Sequence, residues 1–397
     1  MEFEFDIDRE SPFEPSKPVS PDNFKGRIDT IKKILRYANK AKKGNVQHFF
    51  LTGKRGMGKT SLAKYVQNYL EVEFDMVGVY VSNKGNNSLE SLVNSIIEAL
   101  LNVVPKESLK DKVKDLFGKI ESVEIKNMKV TFRPDAKISK DLVNSFPYYI
   151  DKIVKEVSND HNGVFLIIDD INGLSESKEF VDWYKRFADT IEVNDDFKIP
   201  LYVLFAGYPE KFDNLVQQEE SFGRIFHHEK IDGLADEDVK EFFIDTFAKE
   251  KITLDNNSLR VLTYFSSGLP LMMQQIGDSV FWLTEDNEIS EDVAIQGVID
   301  AANEIGNKQI RPILNKIRSE NYEPILLKLG ELKAFKFKRS DINKELKTNE
   351  QKVFKAFLSR MVELGILNSI GKKNSGEYEF NNQLYFIYFL IKSTLKN

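Results

Sequence analysis

The chain has 397 residues, 41% of them hydrophobic and 30% charged, enough for two or three globular domains that each bury a core. Cysteine is absent, which excludes disulfide frameworks, thiol nucleophiles and Cys-based zinc sites, and a formal charge of −6 argues against a uniformly basic nucleic-acid binder. No apolar run is long enough to span a bilayer, and the acidic start Met1-Glu2-Phe3-Glu4-Phe5-Asp6 is unlike a secretory leader, so a cytoplasmic address without membrane partners is expected.

Residues 1–23 hold Pro12, Pro15, Pro18 and Pro21 among acidic and Ser residues and read as an extended arm. Phe24-Lys25-Gly26-Arg27-Ile28-Asp29 then opens a helical spacing through Ile31, Ile34, Leu35 and Ala38. Gln47 to Thr52 is an apolar strand run, and Leu62, Ala63, Val66 and Leu70 begin a helix. Between them stands Gly53-Lys54-Arg55-Gly56-Met57-Gly58-Lys59-Thr60-Ser61, a phosphate-binding loop in the strand-to-helix setting that such a loop requires. Glycines let backbone N–H groups surround a phosphate, the helix N-terminus adds positive partial charge, Lys59 reaches the β/γ-phosphates and the Thr60 hydroxyl can ligate Mg²⁺. ATP is the expected ligand.

Met76 to Val81 reads as a buried parallel strand, followed by a helix from about Ser88 to Val103. An interruption over about 105–140 contains Val123, Ile125, Met128, Val130 and Phe132 alternating around Lys126-Asn127, the pattern of a β-hairpin; it reads as a structural flap or, alternatively, as a contact for a partner or a nucleic-acid strand. A helix is expected from about Lys140 to Ser158. Val164-Phe165-Leu166-Ile167-Ile168-Asp169-Asp170 then delivers two carboxylates to the end of a buried strand, Asp169 to hold Mg²⁺ and Asp170 to polarise the attacking water.

The loop, the Asp-Asp pair and the strand-helix unit between them resemble the additional-strand P-loop ATPases, and later segments resemble the AAA+/STAND branch with its initiator-like members. The resemblance implies an α/β P-loop NTPase (AAA+) parallel sheet over 24–234, a helical lid over 235–306 and a C-terminal winged-helix domain over 307–397. It places Arg27 on the base side of the nucleotide and the strand Ile199 to Gly207 where the family has its sensor-1 strand, with Tyr208 as either sensor or packing aromatic. Arg224, in Ser221-Phe222-Gly223-Arg224, occupies the arginine-finger segment, and reads either as that finger or as a surface ion-pair arginine. Gly268-Leu269-Pro270 has the Gly-x-Pro form of STAND-like lids, so Pro270 is expected to sense nucleotide by packing. Many AAA+ machines carry Glu where this chain has Asp170, which points to slow hydrolysis.

From 307 onward there are 18 Lys+Arg against 9 Asp+Glu, so this segment is +9 while the remainder is −15. Helices are expected over Glu323–Leu332, Arg339–Leu346 and Glu350–Leu364, with a wing tip at Gly371 to Gly376 and a closing apolar tail at Tyr385 to Ile391. On the third helix Lys352, Lys355, Ser359 and Arg360 fall opposite the apolar side, as in winged helices that enter a major groove. The expected protein is an ATP-dependent switch, on DNA through this module or, alternatively, a signalling or defence regulator whose winged helix holds a protein partner while ATP controls homo-oligomerisation.

Overall fold

The computed structural model describes residues 9–105, 116, 123–126, 129–194, 197–317, 319–370 and 375–394. The chain divides into two compact units, one made of Val19–Asp232 and the other of Met1–Pro18 with Gly233–Asn397.

The first unit alternates helices and strands: α1 (Ile28–Ala41), β1 (Gln47–Thr52), α2 (Lys59–Phe74), β2 (Val77–Ser82), α3 (Leu89–Leu101), β3 (Val123–Lys126), β4 (Lys129–Phe132), α4 (Ala136–Asn144), α5 (Phe146–Val157), β5 (Val164–Asp169), α6 (Lys178–Val193), β6 (Leu201–Gly207), α7 (Pro209–Gln218), α8 (Phe222–Ile225) and β7 (His227–Lys230). Five strands form one parallel sheet in the order β2-β5-β6-β1-β7. β5 and β6 are buried throughout, as continuous apolar runs with helices on both faces require. Side chains alternate between two cores: Phe50, Leu166, Ile168 and Phe205 face one, Phe49, Leu51, Phe165 and Ile167 the other. Register pairs Asp169 with Ser82 and Ala206, and Thr52 with Gly207 and Lys230, so these strand ends leave the sheet along one edge. The outer strand β7 is short, with His227, His228 and Lys230 exposed, which discourages pairing with further strands.

The helix expected over 140–158 is two helices. Ser145 departs from helical geometry (φ −107°, ψ 22°), and Pro147 has no N–H to continue the hydrogen-bond ladder, so the helix stops and restarts. In the interruption, β3 and β4 pair antiparallel, Val123 opposite Phe132 and Lys126 opposite Lys129. Asn102 fixes this hairpin to the end of α3, accepting from Val130 N at 2.8 Å and donating to Val130 O at 3.0 Å. Asn127 and Met128 of the expected hairpin lie outside the described residues, as do 106–115 and 117–122.

The second unit contains α9 (Asp236–Ala248), β8 (Thr253–Leu254), α10 (Asn256–Ser266), α11 (Pro270–Leu283), β9 (Glu288–Ile289), α12 (Glu291–Ile305), a π-helical turn Gly306–Ile310, α13 (Arg311–Lys316), α14 (Tyr322–Glu331), β10 (Lys336–Lys338), α15 (Arg339–Glu345), α16 (Thr348–Glu363), β11 (Leu367–Ile370), β12 (Glu377–Phe380) and α17 (Gln383–Thr394). β10, β12 and β11 make an antiparallel sheet. The expected turn tip Gly371 to Asn374 lies outside the described residues, and strand β10, whose Phe337 stacks on Tyr378 at 5.9 Å, has too short a pattern to read from sequence. Phe354, Phe357, Leu358 and Met361 of α16 are buried, while Lys352, Lys355, Ser359 and Arg360 face solvent. The apolar tail forms α17, with Phe389 fully buried against Gly330, where a Cβ would meet Phe389 O at 2.5 Å.

Part of the N-terminal arm belongs to this unit. Phe13 is only 3% exposed and packs on Phe242, Phe243 and Phe247, with ring centroids 4.8 to 6.4 Å away, in space left by the missing side chain of Gly277. Arg9 donates to Phe281 O at 2.9 Å and Thr284 O at 2.8 Å, a cation on the carbonyl end of α11. Met1 to Asp8 of the arm lie outside the described residues. Phe13→Ala should therefore lower the stability of this unit by about 3 kcal/mol, as expected for truncating a buried aromatic. Its urea transition should move to lower concentration in the full chain, and an unchanged midpoint would show that the arm is not part of the core.

Candidate nucleotide site

Thr52 ends β1 and Lys59 begins α2, so the loop between them turns directly into a helix N-terminus. Gly56 (φ +83°) and Gly58 (φ +80°) take left-handed backbone, which a side chain would strain, and Gly58 is the residue that caps α2. Lys59 Nζ donates to Gly53 O at 2.6 Å and Lys54 O at 3.1 Å, and lies 4.8 Å from the centre of the Tyr208 ring. Burial lowers the Lys59 pKa, against the opposing pull of Asp169, Asp170 and Glu210. Lys54 and Arg55 are exposed at the loop crest, and Ser61 Oγ accepts from Val19 N at 3.2 Å.

Asp169 arrives from β5. Thr60 Oγ1 donates to its Oδ2 at 2.6 Å across 109 residues of sequence, and the Tyr80 hydroxyl, from β2, donates to the same oxygen at 2.8 Å. Asp170 N donates to Asp169 Oδ1 at 2.9 Å. At 7% exposure, this carboxylate requires such donors. Burial, followed by the charge and hydrogen bond of Asp169, raises the Tyr80 pKa further above the neutral range, in which the phenol is a donor in any case.

Asp170 adopts left-handed backbone (φ 61°), so the chain leaves the strand at this residue and enters a short 3-10 turn. Asn172 Nδ2 donates to Asp170 Oδ1, and Asn172 Oδ1 accepts from Tyr208 N at 3.0 Å, joining the end of β5 to the end of β6. Burial raises the Tyr208 pKa, with Asp170 as the next largest cause.

Arg27 also has left-handed backbone (φ 59°). It donates to Met57 O at 2.9 Å and Asp232 O at 2.7 Å, bracing the loop against the chain that follows β7. The structure thus brings Gly53 to Ser61, Asp169, Asp170 and Arg27 together. Arg224 is elsewhere, exposed in α8 just before β7 on the opposite sheet edge, where it lines a cavity of about 420 Å³ with Gln47, His48, Asp189 and Glu192. Pro270 opens α11 in the second unit; the preceding Gly268 (φ +66°) lies so close to residue 234 that a Cβ would meet Leu234 O at 2.5 Å.

Tyr80 and Asn172 were not identified from sequence. Tyr80 has a partial signal, since it stands opposite Ile167, two positions before Asp169, on a strand adjacent to β5. Asn172 is an ordinary turn residue by pattern, and only the arrangement of two strand ends gives it a role.

Residues 23–181 match the AAA ATPase domain family. With this match over part of its length, the chain is an ATP-hydrolysing enzyme with a P-loop NTPase fold. A Walker-type ATPase of Pyrococcus abyssi is similar in structure, at 15% identity and a TM-score of 0.58, with 93% of this chain and 96% of that one covered. The ORC2 protein of Aeropyrum pernix, solved as ADPNP-ADP complexes, is similar at 11% identity and a TM-score of 0.53, covering 94% of this chain and 96% of its own. Among curated proteins no relative matches.

Lys59→Ala removes the half-buried ammonium of the loop and should weaken ATP binding by roughly 100-fold or more, the size of a lost charge-assisted contact together with its desolvated partner. Calorimetric titration reads this directly, and an unchanged affinity would place the nucleotide elsewhere.

Proposed function

We propose that this AAA-type ATPase is a Mg²⁺·ATP-dependent switch whose nucleotide state controls a DNA-binding C-terminal module. The observation that carries the nucleotide part is the 2.6 Å contact of Thr60 Oγ1 with Asp169 Oδ2 beside Lys59. A hydroxyl and one carboxylate on a phosphate loop suit Mg²⁺, which takes few protein ligands and completes its shell with water and phosphate oxygens. Thr60 and Asp169 would hold the ion, which supplies charge neutralisation to the phosphates when bound.

Backbone N–H groups of Gly53 to Ser61 take the phosphates, Lys59 reaches the terminal ones, and Asp170 orients the attacking water. Arg27 supports the loop on the base side, and Pro270 is the candidate nucleotide-sensing residue of the lid segment. Arg224 serves the nucleotide of a neighbouring copy. His227 to Lys230 alone spans about 10 Å at strand rise, and Arg224 lies a turn further back, beyond the reach of an arginine to its own loop. This reading makes hydrolysis depend on a homo-oligomer.

For the module over 307–397, the winged-helix reading is supported by α14, α15 and α16 together with the antiparallel sheet, and the DNA reading by the +9 charge and the outward Lys352, Lys355 and Arg360. One observation favours a protein partner instead. Lys336 pairs with Glu379, Lys338 with Glu377, Arg360 with Glu363 and Lys392 with Glu323, so these basic side chains, Arg360 on the outward face among them, already have carboxylate partners within the module.

Two experiments separate these parts. Mixing Arg224→Ala with Asp170→Asn protein should restore turnover that neither has alone, because the Asp170→Asn copy lends its Arg224 to the site of the Arg224→Ala copy, whose own Asp170 is intact; no rescue at any ratio rejects action between copies. Full-length protein should bind duplex DNA with a steep salt dependence, and Lys352→Glu with Lys355→Glu should reduce the log–log slope by about 2, the value for two lost phosphate contacts. Binding that is absent at low salt would favour the protein partner.

A further inference from the structure

We infer that Asn172 is a positioning residue for hydrolysis, aiming the Asp170 carboxylate and linking its direction to the end of β6. This rests on the reading of Asp170 as the group that orients the attacking water.

Asp170 has left-handed backbone, so its side chain is not aligned by the strand that precedes it. It sits at the head of a short 3-10 turn, Ile171–Leu174, and makes no side-chain capping bond there. A carboxylate in this position can rotate about its own side-chain bonds, and rotamer freedom at a water-orienting group opposes the near-attack geometry that hydrolysis needs. The Asn172 amide restricts that freedom. Its Nδ2 donates to Asp170 Oδ1, leaving the other carboxylate oxygen to act on water, and its Oδ1 is held by Tyr208 N at 3.0 Å. The amide's own direction is therefore fixed from the neighbouring strand. Gly207 packs beside this bridge: a Cβ there would crowd the Ile171 side chain at 3.1 Å and meet Asn172 Oδ1 at an ordinary contact distance of 3.4 Å. Tyr208 in turn lies over the Lys59 ammonium. A continuous path thus runs from the lysine expected on the terminal phosphate, through the ring and backbone of Tyr208 and the Asn172 amide, to Asp170.

Two substitutions separate this role from local support. Asn172→Ala removes both halves of the bridge. Asn172→Asp keeps shape and the acceptor for Tyr208 N, but presents a like charge to Asp170 in place of a donor. A residue that only supports the turn is rescued by Asp; a residue that aims Asp170 is not. The expected result, in steady-state ATP turnover by the full chain, is a fall in kcat of about 10-fold or more in both variants. ATP affinity, measured by titration without turnover, should stay within about 3-fold of the parent, because the phosphate loop is untouched. Wild-type kcat in Asn172→Asp, or in both variants, overturns the inference. So does a parallel loss of ATP affinity in both, which would mark a collapsed site. Should Asn172→Asp fail to fold, Asn172→Ser provides the second reading: its shorter side chain cannot span Tyr208 N and Asp170 together, so kcat should again fall and normal kcat counts against the bridge. Asp170→Asn is measured alongside. Loss of turnover there with normal Asn172 variants rejects this inference alone, whereas full turnover in Asp170→Asn rejects the assignment of Asp170 and this inference with it.

Discussion

A carboxylate buried at the end of a central strand must be satisfied by donors, and Asp169 is the point on which this site depends. Its partners come from three places: the Thr60 hydroxyl on the loop helix, the Tyr80 hydroxyl on the neighbouring strand and the backbone N–H of Asp170. An unpaired ionised group there would cost several kcal/mol. The contacts consequently fix α2 and β2 relative to β5 as well as holding the acid. This is a precise way to keep a phosphate loop and an acidic strand end in one geometry, because displacing any of the three elements removes a donor from a buried charge.

The parallel sheet sets what can act within one copy and what cannot. Loop, carboxylates and the Tyr208 turn leave one edge, while Arg224 stands at the other. Under the proposed role of Arg224, its guanidinium would reach the terminal phosphate of a second protomer, and assembly would become a control point. The charge partition has a related logic. The segment before 307 is strongly acidic and the remainder basic, so the two parts of the chain suit different partners despite the modest net charge.

Most of the loop and the strand carrying Asp169 were legible in the sequence because their constraints are local. Gly56 and Gly58 need left-handed backbone, Lys59 and Thr60 have fixed places after them, and a doubly buried strand requires an uninterrupted apolar run. The apolar face of α16 and the core role of the tail were readable for the same reason, as periodicity. What escaped is what two distant segments make together. Tyr80 matters because β2 pairs with β5, and Asn172 because β6 lies beside β5; neither pairing is written near those residues. Phe13 sits in a Pro-rich stretch with no period, and its burial follows from a gap at Gly277 in a helix far along the chain. The break at Ser145 was in principle available from Pro147, but the apolar spacing on either side continued through it.

The account stands or falls on whether nucleotide chemistry, assembly and the basic module are coupled. The most direct measurement is ATP turnover by the full-length protein with Mg²⁺, recorded together with its mass in solution, with and without duplex DNA. The account gives specific activity that rises as protomers assemble with ATP and that changes on adding DNA. Turnover absent in the presence of ATP and Mg²⁺, or a specific activity indifferent to both assembly and DNA, would contradict it.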